Sequence, residues 1–156
     1  MAEMSFRPYQ PQDLGQVKDL HELALRDAGA FATSGSWDRD LDDITANYLS
    51  GQGNFLVGEG EGMLIAMGAW RRVSEARAEI KRMRVHPNWQ GLGLGRLLLE
   101  ALEAEIKGQN YTEIILDTTI QQVPAQELYL SSGYHEVERT SEGYPLETIF
   151  YRKEVS

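Results

Sequence analysis

Three glycines at alternate positions stand where an amphipathic helix is about to begin. They are Gly91, Gly93 and Gly95 in the stretch QGLGLGRLLLEALE, and Arg96 follows them at once. The first amides of a helix lack intrahelical partners and lie at the positive end of the helix dipole. When no side chain blocks approach, such a helix start is suited to bind a phosphate group. The sequence therefore predicts a phosphate-bearing ligand at this position.

The spacing of the glycines excludes two common phosphate-binding motifs. A P-loop requires G-x-x-x-x-G-K-[ST], and this stretch has no lysine after its last glycine. The dinucleotide fingerprint G-x-G-x-x-G does not fit G-L-G-L-G, and no acidic residue follows a second strand at the required distance. Taken alone, the glycines are explained as well by a tight turn with close packing.

A strand and a helix must hold this loop in place. Residues 78–85, AEIKRMRV, form a predicted strand that ends at His86-Pro87, because the residue before a proline favours an extended backbone. A helix is predicted from Gly95, and Gly108 ends it. Its apolar stripe at helical spacing consists of Leu94, Leu97, Leu98, Ala101, Leu102 and Ile106.

Short strands and helices are predicted along the rest of the chain. The strands cover residues 6–9, 54–57, 63–67, 114–116, 135–139 and 148–152, and the helices cover residues 14–25, 38–49 and 124–132. Pro8 places the first strand at a sheet edge, because proline cannot donate to a central ladder. The sum is one mixed α/β domain over residues 1–156.

Composition limits the classes of function. The chain carries 24 acidic and 15 basic residues, a net charge of −9, which disfavours binding to nucleic acid or to an acidic membrane. The same charge favours cationic partners, although acidity alone can serve solubility. Cysteine is absent, the N-terminus lacks a signal peptide, and no apolar run is long enough to span a membrane. We therefore expect a soluble cytoplasmic protein.

Two linked motifs resemble the GNAT superfamily of acyl-CoA-dependent N-acyltransferases. The stretch KRMRVHPNWQGLGLGRLLLEALE contains Q-x-x-G-x-G/A directly after a strand that ends in valine. The stretch AQELYLSSGY, from Ala125 to Tyr134, matches A-x-x-L-Y-x-x-x-G-[FY]. The first 70 residues match only loosely. The resemblance implies a GNAT-like mixed sheet of about six to seven strands, with a splayed central pair and about four helices.

The resemblance also implies acetyl-CoA as cosubstrate. Its pyrophosphate would lie on the loop formed by Gln90, Gly91, Leu92, Gly93, Leu94, Gly95 and Arg96. The strand before the loop carries a bulge in the family, and its end pairs with the pantetheine arm. The matching residues are Met83, Arg84 and Val85, and the Val85 amide is a candidate to polarise the thioester carbonyl.

The family's tyrosine corresponds to Tyr129, which the resemblance implies as general acid. A phenol can protonate a departing thiolate, since its ordinary pKa is about 10. The alternative is a core tyrosine, because Tyr129 shares a helix face with Ala125, Leu128 and Ser132.

Glu79 is the candidate base for the acceptor amine. It lies six residues before Val85, where the histone-acetylating branch of the family carries its catalytic glutamate. Strand alternation predicts that Glu79 shares a face with Met83 and Val85. Two alternatives remain open: a surface carboxylate paired with Lys81 or Arg82, and a proton relay through water.

The acceptor is predicted to be a primary amine on a small molecule, an amino acid or a peptide. The family's acceptor regions would contain Phe31, Trp37 and Tyr144 here, and Trp37 stands beside the carboxylates of Asp38, Asp40, Asp42 and Asp43. This cluster could attract a cationic amine, or it could be a solvated acidic helix start. Many family members contact coenzyme A through an asparagine that is absent from residues 117–123, where Gln121 or Gln122 could replace it.

Three classes of function therefore remain open. The first is an active N-acetyltransferase, the second a non-catalytic coenzyme-A-binding sensor or regulatory module, and the third an unrelated binder of a phosphate ligand. Tyr129 and the intact loop favour the first. No metal site is predicted, because His21, His86 and His135 lack ligand spacing. The final strands are a possible homodimer interface by analogy with the family.

Overall fold

Alternating side chains along the strands build a sheet that is buried on both faces. The computed structural model describes residues 5–30 and 36–155, which form a seven-stranded sheet in the order β1-β2-β3-β4-β5-β7-β6. The strands are β1 (Phe6–Pro8), β2 (Gly53–Gly60), β3 (Met63–Arg72), β4 (Arg77–Val85), β5 (Glu113–Thr119), β6 (His135–Thr140) and β7 (Thr148–Glu154). The predicted element order is confirmed, and β1 lies at an edge as Pro8 requires.

Helices cover both faces of this sheet. The described residues form three α-helices, α1 (Leu14–Asp27), α2 (Leu94–Gly108) and α3 (Val123–Ser131). The predicted helix over 38–49 is instead a 3-10 helix, Ser36–Asp43, followed by a π-helical turn, Thr45–Leu49. Leu98, Leu102 and Ile106 of the α2 stripe pack with Trp70, Ile80 and Ile114 on one face, and α1 packs with Phe55, Met67 and Ala69 on the other. Leu97, which was predicted in the same stripe, is 42% exposed, and Leu99 is buried instead.

Strands β4 and β5 separate after a short parallel pairing. Their register joins Arg77 to Glu113, Ala78 to Ile114 and Glu79 to Ile115, and no pairing follows within the described residues. Beyond Glu79 the two strands leave a gap in the middle of the sheet. The splayed central pair that the family resemblance implies is therefore present.

A bulge in β4 changes which face its side chains occupy. Ala69 pairs with Lys81 and Met67 with Arg84, so β4 contains one residue more than β3 over this interval. The backbone of Arg82 is left-handed there, with φ of 61°. Glu79, Lys81 and Arg84 therefore share the α1 face, whereas Val85 pairs with Ala66 on the other face. The prediction that Glu79 shares a face with Met83 and Val85 is wrong, because simple alternation does not include the extra residue.

The side chain of Arg82 anchors the bulge to the 3-10 helix. Its Nε donates to Oδ2 of Asp40 over 2.9 Å, and the hydroxyl of Tyr48 also donates to Oδ2 of Asp40. The Arg82 and Asp40 side chains are each 11% exposed. Burial raises the pKa of Asp40, but the hydrogen bonds and charge of Arg82 and the Tyr48 hydrogen bond outweigh it, so the pKa lies below its ordinary value.

Asp40→Asn is expected to lower the free energy of unfolding by about 3 kcal/mol at pH 7, because it removes the charge that a buried guanidinium faces. The matched control is Asp42→Asn, whose exposed pair with Lys18 is worth less than about 1 kcal/mol. Because the folded pKa of Asp40 is lowered, its contribution is complete above the unfolded pKa of about 4 and is lost as the pH falls through the folded value. Urea unfolding at pH 7 and pH 3 measures both effects, and equal losses in the two variants would contradict the assignment.

Candidate active site

Two cavities meet at the gap between β4 and β5 in the part of the chain that the structure describes. The first cavity, about 380 Å³, lies between the end of α1, the end of β4, the glycine loop and the start of α3. The second cavity, about 330 Å³, lies over the α1 face of β4, β5 and β7. Their shared wall consists of Met83, Arg84, Gln122 and Tyr129.

The glycine loop leaves the start of α2 open to the first cavity. Gly91 and Gly93 have φ of +79° and +85°, and a Cβ at either position would meet no atom within 4 Å. Gly93 is the N-cap of α2, and no side chain caps this helix start. The first amides of α2 are therefore accessible to an anion in the cavity.

Gly95 is a glycine for a different reason. A Cβ at this position would lie 3.3 Å from Cδ2 of Leu128, so its absence lets α2 approach α3 closely. We interpreted all three glycines as making room for a phosphate group. For Gly95 this interpretation is incomplete, because its missing side chain also allows α2 and α3 to pack closely.

Most of the residues predicted to bind the cofactor line the first cavity. These are Met83, Arg84, Val85, Gln90, Gly91, Gly93, Leu94 and Gly95. Gln90 also holds the loop against the strand, because its Nε2 donates to the carbonyl of Val85 over 3.1 Å. Gln121 and Gln122, the candidates to replace the family's asparagine, line the same cavity.

Leu92 and Arg96 do not line this cavity. Leu92 is exposed on the outside of the loop. Nη2 of Arg96 donates to Oγ of Ser131 over 2.7 Å, and Nη1 donates to Oγ of Ser132 over 3.2 Å. The guanidinium of Arg96 therefore ties α2 to the end of α3, and only its backbone belongs to the helix start.

Tyr129 lies at the junction of the two cavities and in the core at once. Its ring packs edge-on against Tyr151 at 5.7 Å, and only 5% of the residue is exposed. Its hydroxyl lies 4.0 Å from Sδ of Met83. Burial raises the pKa of Tyr129 to about 12. Its phenol therefore keeps its proton at neutral pH and can donate it into the cavities.

Glu79 lines the second cavity, where it is held by Arg71. The Nε and Nη2 atoms of Arg71 each lie 3.1 Å from Oε1 of Glu79. The alternative that Glu79 pairs with Lys81 or Arg82 is wrong, because the register of β3 and β4 places Arg71 directly opposite Glu79. This cross-strand pair fixes the carboxylate on the cavity wall.

Asp117 is a site residue that the sequence did not reveal. It lies on β5 opposite Phe150, and both residues line the second cavity. Burial raises the pKa of this carboxyl group. The available signal was a carboxylate directly after the predicted apolar strand over residues 114–116.

The predicted acceptor residues have different outcomes. Tyr144 lines the second cavity and packs edge-on against Phe150 at 5.8 Å. Phe31 and the side chain of Trp37 lie outside the described residues. Of the neighbouring carboxylates, Asp42 pairs with Lys18, and Asp43 accepts from the amide of Ala46 over 3.0 Å. With Asp40 paired to Arg82, these three carboxylates serve local structure.

Over residues 5–30 and 36–155, no three histidine, aspartate or glutamate side chains are arranged to hold a metal ion. None of the helices in these ranges is both long and apolar enough to cross a lipid bilayer.

The fold closely matches solved structures. A GNAT-family acetyltransferase from Staphylococcus aureus MU50 superposes with a TM-score of 0.89 at 20% identity, over 99% of this chain and all of that one. The protein yncA from Salmonella typhimurium, solved with acetyl-CoA, gives a TM-score of 0.77 at 21% identity over 99% and 95% of the two chains. At these identities the likeness concerns the fold.

Similarity in sequence covers most of the chain. An uncharacterized N-acetyltransferase of Schizosaccharomyces pombe is 30% identical over 148 residues, which are 92% of this chain and 88% of that protein. N-acetyltransferase 8F1 of Rattus norvegicus is 27% identical over 118 residues, and the match spans 72% of this chain and about half, 51%, of the rat protein. The acetyltransferase (GNAT) family model matches residues 17–134. The chain belongs to this family.

Proposed function

We propose that this chain is an N-acetyltransferase that moves the acetyl group of acetyl-CoA to a primary amine by direct attack in a ternary complex. The observation that carries the proposal is the shared wall of the two cavities. Each substrate can occupy its own cavity, and the reacting atoms can meet at Met83, Arg84 and Tyr129. Holding both reactants side by side supplies much of the rate gain of such reactions.

The first cavity has the features that acetyl-CoA needs. The uncapped start of α2 and the open space before Gly91 and Gly93 suit the pyrophosphate. The end of β4, no longer paired with β5, offers backbone groups from Met83 to Val85 to an extended pantetheine arm. We assign the amide of Val85 to the thioester oxygen, where it would stabilise the charge that develops during attack.

Two side chains move the protons of the reaction. When bound, acetyl-CoA supplies an activated carbonyl carbon, with which the amine nitrogen forms a C–N bond as the C–S bond breaks. Tyr129 gives its phenolic proton to the departing thiolate and regains one from solvent. The proton lost by the amine passes through water to Glu79, which Arg71 holds on the α1 face, away from Val85.

Glu79→Gln is expected to lower kcat by about tenfold, because a water relay retains part of the rate when its terminal base is lost. The KM for acetyl-CoA should stay unchanged, because Glu79 lines only the second cavity of the two. Glu138→Gln, on the exposed edge strand β6, is the matched control. A loss of several thousandfold would instead assign Glu79 as the direct base.

Calorimetry combined with thiol release tests the proposal. The protein is titrated with acetyl-CoA, coenzyme A and ATP, and release of free thiol is then followed across amines, amino acids and peptides. Binding of acetyl-CoA and amine-dependent thiol release are expected. Binding of coenzyme A without turnover on any acceptor would favour a sensor module. Strong ATP binding without coenzyme A binding would favour an unrelated phosphate binder.

A further inference from the structure

The charges on the wall of the second cavity do not cancel. Its lining contains four cations, Arg71, Lys81, Arg82 and Arg84, and two carboxylates, Glu79 and Asp117. Arg71 pairs with Glu79, and Arg82 pairs with Asp40 outside the lining. Arg84 donates from Nη1 to the carbonyl of Met83 over 2.8 Å and carries its charge in the shared wall. The lining therefore places more cationic side chains than carboxylates around a bound acceptor.

Lys81 and Asp117 face the cavity from opposite sides of the gap. Lys81 lies on β4 just before the bulge, and Asp117 lies on β5 beyond the last paired residue. Within residues 5–30 and 36–155, neither side chain makes a hydrogen bond or an ion pair. Both are half-buried, so each has lost part of its hydration. The charge of Lys81 lowers the pKa of Asp117 across the gap, but burial outweighs this effect and leaves that pKa raised. A ligand with one charge of each sign would compensate both.

The order of the two groups along the cavity sets the orientation of such a ligand. Two charges act on the phenol of Tyr129: Arg84 lowers its pKa and Asp117 raises it by less, so both side chains lie near the junction of the cavities. Lys81 precedes the bulge, and Tyr129 contacts Met83, which follows it. The positive end of a ligand is therefore favoured beside Asp117, and its negative end is favoured further out, beside Lys81.

We infer that the acceptor is a small amine that also carries an anionic group, with Asp117 holding the amine beside Tyr129 and Lys81 binding the anion. This inference rests on the proposed function. A free amino acid and an aminoalkyl phosphate share this chemistry. The size of the cavity, about 330 Å³, is at the small end of ligand pockets and suits either. Tyr144 and Phe150 supply an aromatic wall beside the same space.

Matched acceptors test the anionic group. Each of the common L-amino acids is compared with its primary carboxamide, which keeps the amine and loses the carboxylate, and 2-aminoethyl phosphate and spermidine complete the set. The best amino acid or the phosphate is expected to exceed its counterpart without the anionic group, the carboxamide or ethanolamine, by about tenfold or more in kcat/KM. Spermidine should react more slowly than either. Equal rates for acid and carboxamide, or a preference for spermidine, would overturn the inference and leave the proposed function intact.

Variants of Lys81 locate the anion subsite. Lys81→Met should raise the KM for the acceptor with the anionic group about tenfold and bring the ratio of its kcat/KM to that of the counterpart without this group close to one. Lys81→Arg should restore most of this ratio. Lys107→Met, in the exposed last turn of α2, is the control that leaves the ratio unchanged. Asp117→Asn should raise the KM for every amine. A ratio that Lys81→Met does not change would contradict the assignment.

Binding separates this inference from the proposed function. Calorimetry of the coenzyme-A-saturated protein with the same acceptors needs no turnover. Tighter binding of the anionic member, lost in Lys81→Met, would support the inference even if no acetyl transfer occurred. If none of these probes bound or reacted, the inference would be wrong, while acetyl transfer to another amine would still support the proposed function.

Discussion

Replacing Tyr129 with phenylalanine is expected to lower kcat for acetyl transfer by about a hundredfold or more, because the departing thiolate loses its proton donor. The KM for acetyl-CoA should change little, since the ring and its packing remain. Because burial raises the pKa of Tyr129 to about 12, the wild-type phenol keeps its proton at every pH used for assays. The loss should therefore be similar from pH 6 to pH 9.

Tyr151→Phe is the matched control for this variant. Tyr151 packs edge-on against Tyr129 and is 2% exposed, but it lines neither cavity. The free energy of unfolding of each variant should lie within about 1 kcal/mol of the wild-type value, because each loses one hydroxyl and no packed carbon. Steady-state kinetics together with urea unfolding measure both quantities. Unchanged turnover in Tyr129→Phe across pH would remove the phenol from the mechanism and leave it a core residue.

Replacing Gly93 with asparagine is expected to weaken acetyl-CoA binding by at least tenfold, because the new side chain fills the open space before the start of α2. The left-handed backbone at Gly93, with φ of +85°, also makes any side chain there cost about 1 kcal/mol of stability. The two effects must be measured separately.

The turn between β2 and β3 provides the control. Gly62 has φ of +80°, and a Cβ there also meets no atom within 4 Å, but it lies far along the chain from the loop and outside both cavities. Gly62→Asn should show the same loss of stability with no change in the calorimetric Kd for acetyl-CoA. If both variants bound acetyl-CoA as the wild type does, the glycines of the loop would serve only the turn.

The elements around the glycine loop could be predicted because their signals are local. The leucine stripe of α2, the proline after β4 and the glycine that ends α3 each act within a few residues. A bulge in β4 was implied only by the family resemblance, which did not place it at Arg82, because nothing in KRMRV itself distinguishes a bulge from regular alternation. The face assigned to Glu79 was therefore wrong, although the strand itself was confirmed.

The contents of the second cavity depend on pairings between distant segments. Arg71 opposes Glu79 because of the register of β3 and β4, and Lys81 and Asp117 face one cavity because β4 and β5 separate. The carboxylates of residues 40–43 were predicted as a possible binding surface for a cationic amine. Asp40 instead forms an ion pair with Arg82, which lies 42 residues away in the chain. Charges are visible in a sequence, but the partners that neutralise them are set by tertiary structure.

The bulge at Arg82 divides β4 into two parts whose side chains alternate in opposite phase. Before the bulge, odd-numbered residues face the second cavity and even-numbered residues face the core. After it, even-numbered residues face the cavity instead. Deleting one residue there would exchange the orientations of Arg84 and Val85, so that a cation would point into the core and valine into the cavity. Point substitutions therefore change single positions of the cavity walls, whereas a single-residue deletion would alter the walls of both cavities in one step.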